Sequence, residues 1–351
     1  MNNNMQNEGL YTEAEGAGYQ YRENQLNELI AYIDKGQKSA AETRNAFFTP
    51  DFSSVHAYCE SIKPYREKFI NMLGNPLSDY KGGHKPPVAR QEFVAKDELG
   101  RIFRLTISAL AGLSVYGLLF LPDGCSKFPL VIALHGGLGT PELAAGFTGQ
   151  SNYNDMVRRV QRKGFAVFAP QLLLWSDERG PVFDREVIDR ELKELGGSIT
   201  SIEVLKLIRA IDYFSARDDI DETRIGMIGL SYGGFYTLFT AACDTRIRTV
   251  LSSCYFNERF KYSSHDRSWF NAGNQFLDAE ICKLICPRPL YIEVALRDEL
   301  FDVRYAREEI KRVTPVYKRL GVPELLIYQE FDGVHELNPD NDGIDFLCSN
   351  L

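Results

Sequence analysis

The strongest constraint in this 351-residue chain is a series of short, largely apolar runs that alternate with amphipathic stretches. The runs lie at 130–134, 166–169, 225–228, 249–251, 290–296 and 325–329. Between them, residues 153–163, 201–214 and 305–320 carry apolar side chains at helical spacing. A strand that is apolar on both faces needs cover on both faces. The alternation therefore predicts an α/β fold built on a mainly parallel, doubly wound sheet. Ahead of these runs, 88–93, 101–107 and 115–121 are separated by the turn signals Glu98-Leu99-Gly100 and Leu110-Ala111-Gly112, and read as antiparallel strands.

Helical spacing also marks 21–34 and 54–73, the second through Val55, Tyr58, Ile62, Tyr65, Phe69 and Met72. It stops at Leu73-Gly74-Asn75-Pro76, a C-cap followed by a proline. Residues 1–87 are therefore expected to form a helical N-terminal extension and linker, and 88–351 the α/β domain. The formal charge of −8 lacks the basic footprint that binds phosphate backbones or anionic lipid, so neither nucleic acid nor membrane is expected as a partner. The polar start has no basic segment leading into an apolar core, so no signal peptide is expected. Seven scattered cysteines without zinc-ligand spacing imply reduced thiols, a cytoplasmic setting and no metal.

In doubly wound sheets, reacting groups sit on loops beyond the carboxyl ends of the strands. Residues 226–234, GMIGLSYGG, put Ser231 in a G-x-S-x-G turn between a strand and a helix. Glycines two residues either side give a strained turn the room it needs, and the following helix aims its N-terminus at developing negative charge. Residues 128–137 form an apolar strand ending in His135-Gly136-Gly137. Backbone N–H groups of Tyr232 and Gly137 are the expected oxyanion donors, with Leu138 as the neighbouring candidate. His135 is expected to anchor this loop. Of the five histidines, His335 follows the last strand and is the expected base, with His265 in reserve. Asp298 opens the loop after strand 290–296 and is expected to orient His335, ahead of Asp302 and Asp332.

These segments resemble the α/β-hydrolase superfamily, and within it the dienelactone hydrolase and acetyl xylan esterase-like branch. The resemblance rests on residues 133–137, on 221–234 around Ser231, on Cys286-Pro287-Arg288-Pro289-Leu290 with Asp298, and on Gly333-Val334-His335. It implies an α/β-hydrolase fold over 88–346 and a Ser231–Asp298–His335 triad without a cofactor. The dienelactone hydrolases proper use a cysteine where this chain has Ser231. Larger relatives carry helical extensions that pack beside the core or support oligomer contacts, which makes a homo-oligomer one expectation here.

Two segments after strands are rich in aromatic and polar side chains. They nominate Trp175 and Arg179, and Arg259 and Trp269, as substrate-binding residues, with an arginine available to select a carboxylate. The expected function is a serine hydrolase cleaving a small carboxylic ester, of a carbohydrate or an aromatic group, through an acyl-enzyme. A prolyl-oligopeptidase-like peptidase and a non-catalytic binding protein are the alternatives.

Overall fold

The computed structural model describes residues 11–351 other than 84, 111, 125–126, 178–179 and 263. Three helices come first: α1 (Tyr19–Phe47), α2 (Val55–Ser61) and α3 (Lys63–Leu73). The expected single helix over 54–73 is split at Ile62. Pro64 has no N–H to give the preceding turn and its ring would strike the carbonyl four residues back, so it sits in the first turn of a new helix. Ser54 caps α2 by accepting from the Ala57 N–H at 3.0 Å.

Strands β1 (Ala89–Asp97), β2 (Gly100–Leu110) and β3 (Leu113–Leu121) form an antiparallel meander. Then follow β4 (Phe128–Leu134), α4 (Pro141–Ala144), α5 (Met156–Gln161) and β5 (Ala166–Pro170), and a small ribbon of β6 (Ser176–Asp177) and β7 (Gly180–Pro181). Next come α6 (Arg185–Glu194), α7 (Ile199–Ser215), β8 (Ile220–Leu230), α8 (Tyr232–Cys243) and β9 (Ile247–Ser253). Three 3-10 turns between Arg259 and Asn274 lead to α9 (Asp278–Ile285), β10 (Leu290–Ala295), α10 (Val303–Arg319), β11 (Leu326–Phe331) and α11 (Asp342–Ser349).

Nine strands make one sheet in the order β1-β2-β3-β5-β4-β8-β9-β10-β11. The β4, β5, β8, β9, β10 and β11 pairings are parallel, and β3 joins β5 antiparallel. Strands β4, β5 and β10 are buried on both faces, and the period of two sorts their side chains between them. Leu130, Ile132 and Leu134 of β4 pack under α7, α8 and α9, whereas Val131 and Ala133 face α4, α5 and α11. Tyr58 of α2, Ile62 at the break, and Phe69 and Leu73 of α3 belong to the first of these cores, so α2 and α3 share the sheet's own hydrophobic layer. The Tyr58 hydroxyl donates to the Lys283 carbonyl at 2.8 Å, tying α2 to α9.

Candidate active site

Strand β8 ends at Leu230, and Ser231 follows with φ 58° and ψ −122° as the cap of α8. An L-residue pays steric strain at such a φ, and tight surroundings must hold it. A Cβ on Gly229 would lie 2.3 Å from the Gly233 carbonyl group, and one on Gly233 would lie 2.1 Å from the Leu134 carbonyl oxygen. The expected glycine requirement is thus set by backbone packed on backbone, which cannot yield as a flexible side chain would. Gly233→Ala is expected to cost about 2–4 kcal/mol of stability, within the range for overpacking and backbone strain. Urea unfolding of the variant checks this.

The loop after β4 approaches the same turn. A Cβ on Gly136 would come within 3.1 Å of Ser231 Cβ, and Gly137 lies against the Tyr232 ring. His135 is fully buried. Its Nε2 accepts from the Leu172 N–H at 2.9 Å, so Nδ1 carries the proton and donates to the Gly136 carbonyl at 2.8 Å. Burial lowers its pKa to about 4, so the imidazole stays neutral and braces the loop. The Tyr153 hydroxyl accepts the Gly136 N–H at 2.8 Å. Leu138 gives its N–H to the Leu174 carbonyl at 2.6 Å, and Gly139 to the Gly136 carbonyl at 3.2 Å. Among the described residues, the Gly137 N–H meets no acceptor. Leu138, the neighbouring candidate, is therefore already committed. Tyr232 opens α8, where first-turn N–H groups have no carbonyl one turn below.

Asp298 and His335 lie beyond β10 and β11. The Asp298 carboxylate is only 2% exposed and contacts His335 Nδ1 at 2.9 and 3.1 Å through its two oxygens. It also accepts the Leu300 and Phe301 N–H groups at 2.8 and 3.0 Å, which fixes its orientation. His335 is 9% exposed, and its carbonyl accepts from Asn152 Nδ2 at 3.1 Å. Asn154 holds the next residues by donating to Glu336 Oε2 and the Leu337 carbonyl at 2.9 and 2.6 Å. The sequence carried no sign of this asparagine clamp. Cys254 Sγ lies within 4.8 Å of ligand atoms of Asp298 and His335. Its thiol donates to the Glu336 carbonyl at 3.2 Å, and burial raises its pKa well above normal. A metal there would have to break the imidazole–carboxylate pair.

The rival acids go elsewhere. Asp302 caps α10 and pairs with Arg304 at 2.9 Å, which pulls its pKa down to about 2. Asp332 pairs with Arg297 at the surface. His265, the reserve base, is exposed and bonds Asp189 at 3.1 Å.

Ser231 and His335 line one cavity of about 400 Å³. Its walls are Gly136, Gly137, Leu138, Asn152, Tyr153, Leu230, Tyr232, Tyr262, Arg267, Leu300 and Phe301. None of the three nominated binding residues that the structure describes, Trp175, Arg259 and Trp269, is among them. Arg259 is 4% exposed and ion-paired with Asp278 at 3.0 Å, so its charge is spent internally. Trp269 is buried beside it around a separate cavity of about 120 Å³. Trp175 packs on Phe183, with ring centroids 4.9 Å apart. Arg179 lies outside the described residues. The segment holding His265 does reach the cavity, but through Tyr262 and Arg267. Arg267 stacks over the Tyr232 ring at 5.1 Å and donates from Nε to Ser264 Oγ at 2.7 Å. Among the described residues it has no carboxylate partner, because neighbouring Asp266 binds Arg185 at 2.6 Å and the Tyr232 hydroxyl at 2.9 Å.

Residues 115–313, more than half of the chain, match the model of the dienelactone hydrolase family. The chain belongs to the dienelactone hydrolase family. It accordingly has an α/β-hydrolase fold. It is 29% identical over 169 residues to YtaP of Bacillus subtilis (strain 168), described as a hydrolase, covering 46% of this chain and 56% of that one. It is 27% identical over 145 residues to the quorum-quenching protein AidA of Acinetobacter baumannii (strain MDR-ZJ06), covering 41% of each. The match thus spans about half the length of these curated relatives. In fold it is similar to a protein from Bacteroides fragilis described as an acetyl xylan esterase (TM-score 0.63, 17% identity, 88% of both chains). A glucuronoyl esterase from Teredinibacter turnerae gives TM-score 0.63 at 14% identity over 85% of both chains. Among the described residues no helix is long and apolar enough to cross a membrane.

Proposed function

We propose that this chain is a serine ester hydrolase that works through an acyl-enzyme on Ser231. The observation that carries the reading is a cavity lined by both Ser231, on a strained turn, and His335, whose Nδ1 is held by the buried Asp298 carboxylate. With Nδ1 held by Asp298, the free Nε2 of His335 is the base. Ser231 Oγ attacks the ester carbonyl and its proton passes to Nε2. The tetrahedral oxyanion accepts from the Tyr232 and Gly137 N–H groups. Collapse expels the alcohol, which takes the proton from Nε2. Water then attacks the acyl-enzyme, gives its proton to Nε2 and releases the acid, returning the proton to Ser231.

The substrate is a small ester of a carbohydrate or aromatic alcohol. The cavity size suits one such molecule, and the acetyl xylan and glucuronoyl esterases that share the fold are named for carbohydrate esters. Arg267 takes the role first sought in Arg259 and Arg179, favouring esters that carry a carboxylate. Arg267→Gln is expected to lower kcat/KM for a carboxylate-bearing aryl ester by roughly 10–100-fold, the worth of a charge-assisted hydrogen bond. Turnover of a neutral ester should change little; equal losses on both would remove Arg267 from recognition. The helices α1–α3 supply no propeller, the domain on which the peptidase alternative would depend. The six described cysteines are unpaired, which supports the cytoplasmic setting. The whole reading is tested by rapid mixing with an aryl acetate. It requires a burst of about one phenol per active site with the acetyl group retained on the quenched protein; steady phenol release with no acetyl adduct on the protein at any quench time would contradict it.

A further inference from the structure

The front of α1 stands free of the molecule. All 18 residues from Tyr19 to Gly36 are exposed, and the helix meets its own protein only from Ala40 onward, where Ala40 and Arg44 are buried. Arg44 anchors that root by pairing with Glu280 at 3.0 Å and donating to the Gly273 carbonyl. The anchoring face does not end at Ala40. Stepping back by fours and threes gives Gly36, Ile33, Leu29, Leu26, Arg22 and Tyr19, a heptad seam, with Ile30 beside it. Leu26 and Leu29 are each 56% exposed, and Ile30 and Ile33 each 47%. A helix solvated on every side draws little stability from propensity, and Gly36 lowers it further. An apolar seam in that position calls for a covering surface.

We propose that the seam is covered by α1 of a second copy of this chain, packed antiparallel about a twofold axis near Leu29 and Ile30. Charge selects this occupant. From Tyr19 to Gly36 the exposed part carries Arg22 and Lys35 against Glu23, Glu28 and Asp34, a charge of only −1 within a chain of net charge −8. Two acidic bodies can therefore meet through arms that carry little of that charge, with little opposing field between them. The antiparallel register sets Leu26 on Ile33 and Leu29 on Ile30, and brings Glu23 alongside Lys35 of the other copy; both contacts occur twice, as a twofold interface requires. The arm is about 27 Å long at 1.5 Å per residue. Two arms side by side bury on the order of 1,200 Å², the lower bound of a stable interface. The ten residues before Tyr11 offer only Met1, Met5 and Leu10 as apolar side chains, too few to cover the seam.

Sedimentation velocity of the full chain at micromolar concentration should give twice the 39.8 kDa chain mass. The double variant Leu29→Asp, Ile33→Asp should sediment as one chain and keep its esterase turnover within about twofold, since the arm lies outside the active site. Under mild oxidation Ile30→Cys should cross-link to its own copy, whereas Tyr19→Cys, at the far end of the arm, should not. The proposal fails if the native chain is a monomer up to 100 μM, or if the double aspartate variant remains a dimer. Equal cross-linking at both positions would show parallel packing and overturn the antiparallel arrangement. A monomer that binds anionic phospholipid vesicles through these side chains would assign the seam to lipid and overturn the proposal.

Discussion

Replacing Ser231 by alanine is expected to lower kcat for ester hydrolysis by about 10⁴–10⁶-fold, as when the nucleophile of a unit-acting triad is removed. Removing Oγ leaves the cavity, the Gly137 and Tyr232 donors and the His335–Asp298 pair in place. Substrate should therefore still bind, with a dissociation constant at or above the native KM, because slow deacylation lowers KM below the dissociation constant. Stability should hold or rise slightly, because alanine leaves the backbone strain at φ 58° but removes a polar group from a residue that is only 9% exposed. Residual turnover would come from oxyanion stabilisation and positioning alone. Steady-state kinetics with urea unfolding on the same preparation separate lost chemistry from lost fold. Turnover within tenfold of native would reject Ser231 as nucleophile.

The second large effect lies at Asp298. Asp298→Asn preserves shape but offers an amide N–H where His335 Nδ1 needs an acceptor. That favours the tautomer with its proton on Nε2, which cannot serve as base. A loss of about 10³–10⁴-fold in kcat is expected, with KM little changed. Asp302→Asn is the control. Its side chain caps α10 and pairs with Arg304 rather than with His335, and asparagine caps about as well as aspartate. Its kcat should stay within about threefold of native. A large loss at Asp302 together with a small one at Asp298 would reverse the assignment.

Much of this arrangement is legible in the sequence because it depends on local rules. Strands β4 and β8 announce themselves by being apolar on both faces. Ser231 is marked by Gly229 and Gly233, whose places are taken up by backbone. Asp298 and His335 follow from the rule that loops after parallel strands share one edge. What the sequence does not show depends on distant partners. Arg259 and Arg267 are both plausible binders in one short segment, and only Asp278, brought close by the fold, neutralises the first. Tyr262 and Arg267 reach the cavity because the segment bearing them is pinned by Arg44 at Gly273 and by Arg185 at Asp266. Asn152 clamps His335 across 183 residues of chain. The break between α2 and α3 was available from Pro64, but the apolar spacing runs straight through it.

The central claim is that Ser231 becomes covalently acylated. The most direct measurement is intact-protein mass spectrometry, with peptide mapping, after a fluorophosphonate at neutral pH and, separately, after acid-quenched mixing with an aryl ester. The account requires one adduct per chain, on Ser231, lost in Ser231→Ala and slowed in His335→Ala. Active enzyme with no adduct on Ser231, or with the adduct on another residue, would contradict it.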